Sequence, residues 1–134
     1  MTENSAEAAT KWARWVGYGL SAVVILVMLM DSTAKLLQIP AVLEATAKIG
    51  WPPGSVVPVG TVLLLSTVLY AFPRTSALGA ILLTAYLGGA VATHARIESP
   101  LFTHTLFGVY LGIMLWGGLY LRDARLRTLI PLRA

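Results

Sequence analysis

No cysteine occurs among the 134 residues of this chain. That absence removes disulfides, thiol redox chemistry, c-type haem attachment, Cys-ligated zinc and iron–sulfur clusters. It says nothing of compartment. Charge is scarce too: Asp, Glu, Lys and Arg together make 12% of the chain, about half the roughly 25% of an ordinary soluble domain. There is no G-x-G-x-x-G turn, no P-loop and no H-E-x-x-H, so no nucleotide or metal signature is present.

What fills the chain instead is apolar. Hydrophobic residues are 57% of it, and the mean hydropathy is +0.75. A chain of this length cannot cover a water-facing surface with so few polar side chains. Disorder is excluded, the composition argues against a soluble globule, and an integral membrane protein is expected. The net charge of +4 is therefore read as loop lysine and arginine reporting membrane orientation, not as a nucleic-acid footprint.

Four uncharged or nearly uncharged runs divide the chain at about 15–37, 55–72, 76–93 and 104–121. Each is close to the roughly 20 residues a bilayer requires, and continuous apolar runs in lipid mean helices. The first is preceded by Lys11 and Arg14, as a cleaved leader would be; three further spans make a retained helix the simpler reading. Pro40 ends the first helix. Residues 41–49 repeat apolar positions at helical spacing, with Glu44 and Lys48 as an i,i+4 pair. They are too few to span and read as an interfacial helix, closed by Gly50-Trp51-Pro52-Pro53-Gly54. The expected fold class is all-α: a polytopic membrane protein with one antiparallel four-helix bundle over 15–121, a cytoplasmic N-terminal tail over 1–14 that is loose at its start, and a basic cytoplasmic tail over 122–134.

Trp12, Trp15 and Tyr18 mark one membrane edge as aromatic anchors. On that side lie Lys11, Arg14, Arg74, Arg122, Arg125, Arg127 and Arg133, seven cations, against Lys35, Lys48 and Arg96 on the other. The positive-inside rule puts both termini in the cytoplasm, with the C-terminal basic tail on anionic lipid. Two small-residue motifs, Ala85 to Gly89 with Gly88 and Gly89, and Gly108 to Gly112, mark helix-packing faces within the bundle or between copies of the chain.

Chemistry-bearing residues gather at the pole away from the termini. Asp31 and Lys35 are four apart within the first span, and ionisable groups inside a span usually face the bundle interior or a water-filled cavity. Glu44 lies on the interfacial helix, His94 and Arg96 leave the third span, and His104 opens the fourth. These six are the candidate ligand-binding residues. Lys35 and Arg96 suit an anionic or carbonyl head group, with Asp31 orienting the lysine. The histidines suit acid–base work, and the apolar bundle suits an isoprenoid or acyl tail. The competing view is a salt-bridged lid, in which Asp31 pairs with Lys35 or Arg96. No metal is expected, because His94 and His104 are ten apart across a proline-containing loop; bis-histidine haem has the same weakness. Polar groups in spans two and three, among them Ser55, Thr61, Ser66, Thr67, Ser76, Thr84 and Tyr86, are too few for an ion path.

The strings Asp31-Ser32-Thr33-Ala34-Lys35-Leu36, Ile39-Pro40-Ala41-Val42-Leu43-Glu44 and Ile49-Gly50-Trp51-Pro52 resemble the first half of DoxX-like membrane proteins. Pro73-Arg74-Thr75, Leu78 to Thr84, Leu87-Gly88-Gly89-Ala90-Val91-Ala92-Thr93-His94 with Arg96, and Trp116 to Asp123 followed by Arg125-Leu126-Arg127 and Pro131 resemble the second. The likeness runs from about 15 to 133. It implies a four-helix bundle in a bacterial cytoplasmic membrane. The family takes its name from a subunit of a thiosulfate:quinone oxidoreductase; other relatives associate with oxidative-stress or thiol systems, and distant animal relatives assist assembly of membrane receptors. It marks Lys35, His94 and Arg96 as positions to test and transfers no catalytic residue. Three functions follow as expectations. The first is a redox-accessory protein with quinone or lipid as ligand. The second is a non-enzymatic scaffold for a membrane-bound partner or a second copy. The third is a small lipid or solute carrier. Membrane lipids are expected neighbours, and nucleic acid is not.

Overall fold

A computed structural model of the protein describes residues 3–129, with side chains from residue 10 onward. Among the described residues every regular element is helical. Helix α1 spans Glu3–Leu36, α2 Pro40–Lys48, α3 Val56–Ala71, α4 Ser76–Arg96, α5 Phe107–Arg122 and α6 Ala124–Leu129. A short 3-10 turn, Pro53–Ser55, leads into α3, and a π-helical turn, Leu101–Thr105, leads into α5. Four segments are long and apolar enough to cross a bilayer: Thr10–Leu36, Pro53–Ala71, Ser76–Arg96 and Leu101–Arg122.

The four spans pack as a ring, α1 against α3 and α5, and α4 against the same two. Their shared core holds Val24 and Met28 of α1, Leu63 and Tyr70 of α3, Ala80, Leu83 and Leu87 of α4, and Leu111, Leu115 and Leu119 of α5. Outward positions such as Leu26, Leu65, Ile81 and Ile113 are exposed and apolar, as lipid-facing residues must be. Four hydroxyls of α3 and α4 are folded back onto the preceding turn. Thr61 donates to Val57 O, Ser66 to Val62 O, Thr67 to Leu63 O and Thr84 to Ala80 O, at 2.7–2.9 Å. Each is satisfied within its own helix, and none contributes to a polar path through the membrane.

The structure adds two features at the ends. The segment before the first span is helical from Glu3 onward, continuous with α1. The basic tail folds back onto the bundle as α6, whose Leu126 joins the core. Arg133 lies outside the described residues. At the terminal pole, Tyr70 is the central group. Its hydroxyl donates to Leu115 O at 2.7 Å and lies 2.9 Å from Ser21 Oγ, so one side chain joins α3, α5 and α1. The Arg122 guanidinium stands 5.0 Å from the Tyr70 ring centroid and donates to Tyr70 O at 3.0 Å. Cation–π attraction and a charge-assisted bond together hold the end of α5 to α3. Among the described residues the buried Arg122 Nε has no acceptor.

Close backbone approach is concentrated at glycines other than those the motifs picked out. A Cβ on Gly79 would stand 2.2 Å from Tyr70 N, and one on Gly118 2.6 Å from Ser21 Oγ. Gly17 meets the backbone of Gly118 and Arg122, and Gly60 meets Lys35. Of the motif glycines, Gly108 packs against Leu87 and Val91, whereas Gly88, Gly89 and Gly112 have open space where a Cβ would be. Those three are not used inside the bundle.

Candidate functional site

The pole opposite the termini is built from the end of α1, the α2 segment, the end of α4 and the π-helical turn. α1 stops because Gln38 takes a left-handed conformation, φ 52°, and Pro40 starts α2. α4 stops with Glu98 at φ 56°. Gly50, φ 83°, turns the chain out of α2, and Arg96 Nη2 donates across to Ile49 O at 3.1 Å. That bond fastens the interfacial segment to α4.

The six candidate residues do not converge on one point. Five of them form three neighbouring groups, and Glu44 stands outside all three. Deepest is an ion pair between Lys35 and Asp31 on α1, one helical turn apart. Tyr86 of α4 donates to the other Asp31 carboxylate oxygen at 2.8 Å. The Lys35 ammonium also stands 5.8 Å from the Tyr86 ring centroid. Both partners are largely shielded, with side chains 17% and 32% exposed for Lys35 and Asp31. A carboxylate this far down a span is costly alone, and the lysine and phenol offset that cost. This group links α1 to α4 across the ring. It fits the salt-bridged view of Asp31 and Lys35, with Lys35 and not Arg96 as the partner. Tyr86 is the member that sequence reasoning missed as a site residue. Its position is the signal: it is in the middle of a span, where no interfacial aromatic belt accounts for a tyrosine.

The second group is His94 and His104. Their rings lie edge to face with centroids 5.8 Å apart. His94 Nδ1 is 3.0 Å from Ser99 Oγ, and His104 Nδ1 is 2.8 Å from Thr103 Oγ1. The π-helical turn folds His104 back toward the end of α4, which ten residues of sequence separation did not disclose. Among the described residues no third His, Cys, Asp or Glu joins them in a metal-binding group.

The third group surrounds Arg96. Residues two apart on a helix point about 200° away from each other, so Arg96 faces the α2 side while His94 faces Ser99 and the π-helical turn. The two do not act on one head group. Gly50, Trp51, Ala92, Thr93 and Arg96 line an open groove of about 320 Å³. Trp51 Nε1 donates to Thr93 Oγ1 at 3.4 Å, which sets the indole against α4. Beyond its bond to Ile49 O, the Arg96 guanidinium has no further acceptor among the described residues. Glu44 is exposed on α2 and makes no ion pair with Lys48. The expected i,i+4 pair is not formed, and Glu44 lies apart from the groove-lining residues.

A bundle of four apolar helices with a polar pole of this kind defines a small multi-pass membrane protein. The DoxX-like family matches residues 19–118, most of the chain and all four spans in part or whole. The protein belongs to the DoxX-like family. No curated protein and no solved structure matches it.

Proposed function

We propose that the protein is a redox-accessory membrane protein that holds the head group of an amphipathic molecule, a quinone or a lipid, in the groove beside Arg96. The observation that supports this reading is the pairing of an unfilled guanidinium with an indole in one open groove. Arg96 supplies charge-assisted donors to a carbonyl or anionic oxygen. Trp51 supplies an aromatic face, and Ala92 and the lipid-facing side of α4 supply an apolar wall for a tail. The residues fit a quinone ring on these grounds; a bound quinone would supply the electron-carrying chemistry, and the protein would supply position. In this reading the groove faces the outer side of a bacterial cytoplasmic membrane, with both termini in the cytoplasm, as the cation count supports.

The test starts from protein purified in mild detergent. Extraction and mass spectrometry should recover a quinone or a single lipid class in stoichiometric amount. Binding of a soluble quinone analogue should weaken about tenfold in Arg96→Ala, a loss of one charged contact. Unchanged affinity in that variant, with only bulk phospholipid extracted, would reject the groove. A scaffold reading has one observation in its favour, the open faces at Gly88, Gly89 and Gly112, where a second helix can approach closely. Crosslinking in native membranes, with recovery of one stoichiometric partner, would support it.

A further inference from the structure

The sequence points to the C-terminal arginines as the contact with anionic lipid, but the structure engages the three that it describes elsewhere. Arg122 donates to Tyr70 O, Arg125 to Pro73 O at 2.9 Å, and Arg127 to Tyr120 O and Leu121 O at 2.7 and 3.0 Å. They close the end of the bundle. On the same pole, α1 carries a separate open groove of about 600 Å³ lined by Thr10, Lys11, Arg14, Trp15 and Tyr18. Lys11, Arg14, Trp15 and Tyr18 stand at i, i+3, i+4 and i+7, so they share one helix face. Among the described residues neither Lys11 nor Arg14 has a hydrogen-bonding or ionic partner. The Trp15 and Tyr18 rings meet edge to face with centroids 6.2 Å apart, and both are exposed.

The order of these groups along the helix matches the order of groups in a phospholipid. The seven helical steps from Lys11 to Tyr18 rise about 10 Å, enough to cross the roughly 5–8 Å headgroup layer of one leaflet and reach the top of the acyl chains. Cations come first and aromatics lie deeper. Glu3 and Glu7 fall further from the bilayer along α1. Arg74, on the turn between α3 and α4, adds positive charge to the same pole. Two cations without protein partners above two aromatic rings are complementary to an anionic head group joined to an apolar body.

We propose that this face of α1 is a binding site for one acidic phospholipid of the leaflet at the chain termini. The phosphate lies between Lys11 and Arg14, and the glycerol and upper acyl region rest on Trp15 and Tyr18. This proposal does not depend on the Arg96 groove.

Native mass spectrometry of the full chain, titrated with phosphatidylglycerol or phosphatidylcholine, tests it. The wild type is expected to prefer phosphatidylglycerol at one site, and the Lys11→Ala/Arg14→Ala double variant to lose about tenfold of that preference. Both side chains are exposed, so the variant should keep its melting temperature. Arg125→Ala/Arg127→Ala should keep the preference. Equal binding of both lipids by the wild type would overturn the proposal, as would loss of the preference only in the Arg125/Arg127 variant. Displacement of the lipid by millimolar glycerol phosphate would also overturn it, since that result would make the site one for a free phosphate ester.

Discussion

Replacing Gly79 with alanine is the most direct test of how the bundle is held. A Cβ there would lie 2.2 Å from Tyr70 N, 2.5 Å from Tyr70 Cα and 2.7 Å from the Leu69 carbonyl carbon. Ordinary contact between such atoms begins near about 3.4 Å, so α3 and α4 would have to part by about 1 Å. The atoms struck are backbone, and a side-chain rotation gives no relief. The turn joining the two helices is itself fastened, because Thr75 Oγ1 donates to Leu69 O and Ser76 Oγ to Phe72 O, both at 2.7 Å. Overpacking of this kind costs about 1–3 kcal/mol. Shifting Tyr70 also disturbs its bonds to Ser21 and Leu115 O, each contributing about 1 kcal/mol. Gly79→Ala should therefore lose about 3 kcal/mol or more, read as a melting temperature lower by several degrees in detergent by tryptophan fluorescence. Gly88→Ala is the matched control, since its Cβ would meet open space; it should change stability by no more than about 1 kcal/mol, in the stabilising direction that helix propensity favours. Equal melting of Gly79→Ala and wild type, or equal damage from the two variants, would refute this account of the packing.

Lys35→Met should destabilise the bundle by about 2–3 kcal/mol, because it leaves Asp31 charged within a span, whereas Tyr86→Phe should cost about 1 kcal/mol for one lost bond; adding Asp31→Asn to Lys35→Met should restore most of the loss in the same melting assay. Trp116→Phe removes the donor to Thr84 Oγ1 at 2.7 Å between α5 and α4. It should cost about 0.6 kcal/mol, the usual worth of an interhelical hydrogen bond in a membrane, by equilibrium unfolding in mixed micelles. Gln38→Gly should raise stability by roughly 0.5–1 kcal/mol, since glycine takes the left-handed conformation at the end of α1 without steric cost; a lower melting temperature would show that the glutamine side chain contributes something there.

Span number, the all-helical class and the short helix between the first two spans were legible in the sequence, because lipid imposes a length and a polarity that composition reports directly. Helix α2 begins and ends within one residue of the expected segment, set by Pro40 and the Gly50 turn. The Asp31–Lys35 pair was also legible, since four residues on one helix fix the two side chains on one face. Tertiary structure decided everything that depends on which faces meet. Tyr86 reaches Asp31 only because α4 lies across the ring from α1. His94 and His104 touch only because a π-helical turn brings the second back toward the first. Arg96 leaves both of them and fastens to Ile49 O instead. The glycine motifs misplaced the close contacts for the same reason: spacing along one helix gives a small-residue stripe, but the neighbour's position determines whether that stripe is buried, as at Gly108, or open, as at Gly88 and Gly89. Likewise the arginines of the tail read as a free basic segment until α6 folded back and gave Arg125 and Arg127 carbonyls to hold, which left Lys11 and Arg14 as the cations of α1 without a partner among the described residues. Local periodicity determines what each helix can present; only packing determines to what it is presented.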